Sequence, residues 1–97
     1  MQKWGVKMHK KVLMDNADKI HTTEMGAGRI SRNLGITGDA VEYCIVKLKK
    51  DNSEVSKKGK NYYVEVDGEI ITINSSSYTI ITAHKKRWLF VLANVFG

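Results

Sequence analysis

An Asp67-Gly68 pair set between two alternating apolar runs, NYYVEV and EIITIN, constrains this chain more than any other feature of it. A two-residue type I′ turn needs positive φ at both central positions. Asp-Gly accepts that at little cost, so the pair predicts a tight antiparallel hairpin. With the turn there, Val66 faces Glu69, Val64 faces Ile71 and Tyr62 faces Ile73. A third run, YTIITAHK, follows a Ser75-Ser76-Ser77 turn. If that second turn is also even-membered, the apolar face of the sheet is Tyr62, Val64, Val66, Ile71, Ile73, Tyr78 and Ile80. The other face carries Asn61, Tyr63, Glu65, Ile70, Thr72, Asn74, Ser77, Thr79 and Ile81. Half of it is polar, which suits either a solvated outer face or a binding face.

Upstream the period changes from two to that of a helix. Leu13, Ala17 and Ile20 predict a short amphipathic helix over residues 12–20. Thr22 or Thr23 can cap a second helix running to about Asn33, with Glu24 in its first turn and Gly35 ending it. Gly26 and Gly28 inside that helix cost about 1 kcal/mol each relative to Ala, which points to close packing or close approach of a ligand. Asp39 with Glu42 starts a third helix, in which Val41, Cys44, Ile45 and Leu48 share one face. A short edge strand is expected around residues 54–56. Helices first and meander second make an α+β domain, with two to three N-terminal helices packed on one face of an antiparallel three- to four-stranded meander. The expected organisation is a basic N-terminal arm over residues 1–11, a single domain over 12–86, and an apolar tail over 87–97 that packs on the domain or on a partner.

At 97 residues the chain supports one modest core. The net charge is +6, and it is patterned. Lysines gather at the N-terminus, around the loop before the sheet (Lys47, Lys49, Lys50, Lys57, Lys58, Lys60), and after the last strand (Lys85, Lys86). Such a pattern suits a polyanion partner, RNA or DNA, or else lysines that solubilise exposed faces and strand edges. Cys44 sits in an apolar helical pattern and has no partner for an internal disulfide, as befits a buried thiol in a reducing cytoplasm. No secretory signal is expected at the start, and the apolar stretch 88–96 is too short to span a bilayer. A core element or a homodimer contact fits it better than a membrane.

No cofactor is implied. Three histidines and one cysteine are scattered without metal-ligand spacing, no phosphate-binding glycine loop follows a strand, and no nucleophile elbow is present. What remains is a metal-independent set: His21, Arg29 and Arg32 on or before the second helix, and Thr79, Thr82, His84 and Lys85 on or after the last strand. Histidine with Arg or Lys can supply the base, acid and cations that RNA cleavage by 2′-hydroxyl attack needs. The same groups suit plain phosphate binding. A histidine beside a helix cap or in a basic strand end also has an ordinary structural reading.

The segments IHTTEMGAGRISRNLGI and KKGKNYYVEVDGEIITINSSSYTIITAHK resemble a family of small bacterial proteins of unknown function. Its members share a TEMG-x-x-RI-x-RNL helix, a KGKN-Y/W-YV strand and a closing YTIITAHK strand. The resemblance covers roughly residues 12–86 and implies identity more than activity. The layout is also similar to RelE, barnase and colicin-type ribonucleases, an analogy that would set His21, Arg29 and Arg32 opposite Thr82 and His84.

The expected function is a nucleic-acid-binding or interaction module. Arg29, Lys58, Lys60, Tyr63, Thr79, Thr82, Lys85 and Lys86 are its candidate contacts, with Tyr62, Tyr63 or Trp88 available for stacking. The alternatives are a metal-independent, toxin-like ribonuclease using His21, Arg32 and His84, and a dimeric accessory protein without nucleic-acid binding.

Overall fold

The hairpin forms as its turn residues dictate. In the computed structural model, which describes residues 2–86, Asp67 has φ 52° and Gly68 φ 76°. Strands β2 (Asn61–Val66) and β3 (Glu69–Asn74) pair antiparallel in the expected register. Strand β1 (Glu54–Lys58) extends past the expected short edge strand and pairs with β2, and β4 (Ile80–Lys85) pairs with β3. The four strands lie in sequence order as one antiparallel meander.

Three α-helices precede the sheet. Helix α2 (Glu24–Leu34) is capped by Thr23, whose hydroxyl accepts the Gly26 N–H at 3.0 Å, and it closes on Gly35 at φ 67°. Helix α3 (Ala40–Leu48) starts at Asp39, whose Oδ1 accepts the N–H groups of Val41 and Glu42. Helix α1 (Gln2–Asp15) differs from expectation. It begins inside the segment read as an arm and stops at Asp15, and a short 3-10 turn over Ala17–Lys19 follows. The reason is tertiary. His9 lies against the Tyr62 ring, and the Lys10 ammonium donates to the Lys50 and Ser53 carbonyls, so contacts with the sheet side supply what amphipathic periodicity does not.

Leu13, Ile20, Ile30, Leu34, Cys44 and Leu48 from the helical half meet Val55, Tyr62, Val64, Val66, Ile71, Ile73, Ile80 and Ala83 from the sheet in one core. The central row Val55–Val64–Ile71–Ala83 is fully buried. A register shift at Thr72/Ile73 places Ile73 opposite Ile80 and Thr72 opposite Thr82, leaving Ile81 as the extra residue. Strict alternation would have turned Thr82 and His84 inward behind Ile80. The bulge turns Ala83 inward instead and leaves Thr82 and His84 on the outer face.

The Asp67 turn is tied to the end of α3. Its carboxylate accepts from Lys47 at 2.8 Å, from Lys50, and from Asn52 at 2.7 Å. The Lys47 hydrogen bond, then those of Lys50 and Asn52, hold its carboxyl well below the usual carboxylate range. A carboxyl whose folded pKa is depressed stabilises the fold above its unfolded pKa. That stability is lost as pH falls below about 4. Urea midpoints measured from neutral pH down to about pH 2 should therefore decline on the acid side, and Asp67→Asn should remove part of that decline. An identical acid limb in the variant would show that the turn cluster contributes nothing.

Candidate functional site

The two halves of the chain meet along the free edge of β4. Backbone His21 forms a parallel bridge to Thr79, its N–H donating to the Tyr78 carbonyl at 3.1 Å while Ile80 N–H donates to the His21 carbonyl at 2.7 Å. The Thr22 hydroxyl donates to the Ile80 carbonyl at 2.9 Å, and the Asn33 amide donates to the Ala83 carbonyl at 3.2 Å. Residues 21–33 thus cap an edge that would otherwise offer unpaired carbonyls. Gly26 belongs to this joint. A Cβ there would lie 2.3 Å from the Thr22 hydroxyl oxygen and 3.1 Å from that of Thr23, so both hydroxyls fit because the residue is glycine.

The His21 side chain is oriented by the same joint. Its Nδ1 lies 2.9 Å from the Lys19 carbonyl, which only a protonated nitrogen can satisfy. In the neutral ring, Nε2 is then the acceptor, and the Thr79 hydroxyl donates to it at 3.2 Å. The Ser77 hydroxyl stands 2.8 Å from that of Thr79, and Asn74 Oδ1 accepts the Ser76 and Ser77 N–H groups. Tyr78 holds φ 59° at the end of this turn, an uncommon conformation for an aromatic residue. Its ring packs on the core, and the Lys19 ammonium lies 5.9 Å from its centroid.

The turn between β1 and β2 lies at the same end of the sheet, because Ser75 N–H donates to the Lys60 carbonyl at 2.8 Å. Lys57, Lys58 and Lys60 therefore join Lys19, His21, Ser77 and Thr79 at one end. Asp18 is the only carboxylate in the segments 17–22, 57–61 and 74–79 that build it. The opposite end differs. There Lys47 and Lys50 bind Asp67, and Lys86 pairs with Glu65 at 2.7 Å.

The anticipated residues thus fall into four groups. Lys58, Lys60, Thr79 and His21 come together at the lysine end. Tyr63, Thr82 and His84 lie on the outer sheet face, with His84 opposite Ile70 and its Nδ1 2.9 Å from the Lys85 carbonyl. Lys85 and Lys86 lie at the far end, and Lys86 is already paired. His21 and His84 are not brought together: Thr79 and His84 are five positions apart in sequence and, with Ile81 bulged out, about 13 Å apart along the strand. Arg29 and Arg32 are exposed on α2 and, among the described residues, make no ion pair. With Glu24, Met25 and Gly28 they line a concavity of about 410 Å³.

Sequence reasoning did not single out Lys19, Asn74 or Ser77. An Asn directly before a serine run is an Asx-turn signal that would have flagged the last two. Cys44 is buried, its thiol pushed up to about 12 by burial and then by the charge of Glu69, as expected for an unreactive core cysteine. Among the described residues no three His, Cys, Asp or Glu side chains are grouped to hold a metal, and no helix is long and apolar enough to cross a membrane. The expected dimer or partner contact of the tail at 88–96, including Trp88, lies outside the described residues.

Fold and site together define a small basic α+β domain whose helical half locks the edge of its own meander, with cations at one end that make no ion pair among the described residues. The chain belongs to the family described as Protein of unknown function (DUF3781), whose model matches residues 14–84. No curated protein and no solved structure matches it.

Proposed function

We propose that this domain binds nucleic acid through the lysine end of its sheet. The observation that carries the reading is the unequal pairing of its cations. At one end Lys47, Lys50 and Lys86 are committed to carboxylates and Lys85 is not, whereas at the other Lys19, Lys57, Lys58 and Lys60 gather around a single acid and, among the described residues, none of the four makes an ion pair. Unpaired ammonium groups beside hydroxyl and imidazole groups suit phosphate oxygens, and displaced counterions supply the binding free energy.

Fluorescence anisotropy with a labelled single-stranded RNA and a DNA duplex tests it. Both should bind at low salt. The variant Lys57→Gln/Lys58→Gln/Lys60→Gln should bind about tenfold or more weakly, and its log–log salt slope on the single strand should fall by about 2, at roughly 0.7 per lost phosphate contact. No binding at low salt, or an unchanged slope in the variant, overturns the reading.

A second reading, metal-independent RNA cleavage, draws on the orientation of His21. Its Nδ1 proton is held by a backbone carbonyl, so the Nε2 lone pair faces a hydroxyl and can accept a proton from one. The same RNA incubated with chelator reads it directly: shortened product that disappears with His21→Gln supports cleavage, and intact RNA rejects it.

A further inference from the structure

We infer that the concavity on α2 is a seat for one unstacked nucleotide, which gives the domain an added grip on single strands; this rests on the nucleic-acid reading above. Two glycines interrupt α2, and only one is explained by packing. Gly26 leaves room for the Thr22 and Thr23 hydroxyls. A Cβ on Gly28 would meet only the Arg32 guanidinium, at an ordinary 3.7 Å. Nothing inside the described protein needs that glycine, although it weakens the helix relative to alanine.

Around Gly28 the surface has an uncommon make-up. Met25 is 78 % exposed, and Arg29 and Arg32 flank the same depression. An apolar thioether, a glycine with no side chain of its own and two planar guanidinium groups fit the flat face of a base with its phosphate alongside. Guanidinium planes stack on unpaired bases and hydrogen-bond phosphate in bidentate fashion. Glu24, which also lines the depression, supplies an acceptor for the amino group of a base and disfavours a phosphate beside it, which puts the phosphate on the arginine side. A duplex hides its base faces and cannot fill such a seat.

The seat also continues the lysine end. Thr22 bonds Ile80 and Asn33 bonds Ala83, so α2 runs alongside β4 in the same direction, away from the lysine turns. Arg29 lies only about 9 Å along the helix from its cap at Thr23. A strand held by Lys58 and Lys60 can pass His21 and place its next nucleotides on α2.

Gly28→Leu is the discriminating variant, because it fills the depression while raising helix propensity. Its unfolding midpoint should equal or exceed that of the parent. Its affinity for a single-stranded oligonucleotide should fall about tenfold, the loss expected for one base contact, with duplex binding unchanged. Arg29→Gln/Arg32→Gln should weaken the single strand more than the duplex. Gly28→Leu binding both probes like the parent overturns the seat and leaves the lysine-end reading intact. Loss of both probes in equal measure also overturns the seat, since that is a general effect of the helix. No binding of either probe by the parent overturns the lysine-end reading itself.

Discussion

Ile30→Ala should lower the unfolding free energy by about 2–5 kcal/mol, among the largest effects of any single truncation in the domain. Ile30 is fully buried, and it is the central apolar residue of the helix that brings Thr22, just ahead of it, and Asn33, in its last turn, onto β4. Truncation removes apolar area and leaves a cavity where α2 sits over the sheet. Domains of this size are stable by only about 5–15 kcal/mol, so much of the margin would go. Urea unfolding checks it through a lower midpoint with an unchanged slope. Ile30→Val, which deletes one methylene, should cost about 0.5–1.5 kcal/mol. Equal midpoints for parent and Ile30→Ala would mean that α2 docks without its apolar face.

Gly68→Val should cost about 2 kcal/mol or more, although Gly68 touches no core side chain. Its φ of 76° lies in the left-handed region, where a β-branched residue is strained. The neighbouring Asp67 already holds φ 52°, so the turn cannot hand the strain to its partner position. Opening the turn also moves the carboxylate that Lys47, Lys50 and Asn52 share. The variant should therefore lose midpoint stability at neutral pH and show a shallower acid limb, like Asp67→Asn. A loss at neutral pH with the full acid limb kept would separate the turn from the ion cluster.

What could be read in advance follows from how local each determinant is. Thr23 and Asp39 as caps, Gly35 as the helix stop and Asp67-Gly68 as the turn are decided within a few residues, and each stands where its chemistry requires. The register of β2 and β3 follows from the turn alone. The bulge at Ile81 was not legible, because an extra residue in YTIITAHK leaves the run equally apolar and equally β-branched. It alone decides that Ala83 faces inward and His84 outward. The bounds of helix α1 were not legible for the opposite reason. Its lysines and methionines give no clear stripe, and it is positioned by His9 and Lys10 meeting groups far along the chain. The candidate site was half visible. His21, Lys58, Lys60 and Thr79 were picked by residue type, but only the fold sets them at one end and sends His84 elsewhere. Asn74, Ser77 and Lys19 act through a turn geometry and a single carbonyl, which composition does not reveal.

The bridge between His21 and Thr79 also governs when the molecule can finish folding. Its partners are 58 positions apart, and every cap on the β4 edge spans 50 residues or more. Loops that long close late and slowly. During synthesis, α2 emerges with its capping hydroxyl and amide groups facing nothing, and they stay so until the last strand has left the ribosome. A chain released before residue 80 would keep the residues of all three helices and of both hairpins, β1–β2 and β2–β3, yet lack the strand they close upon. The domain therefore becomes a single cooperative unit only with its final strand, and shortened products should be recognisable by their sensitivity to proteases.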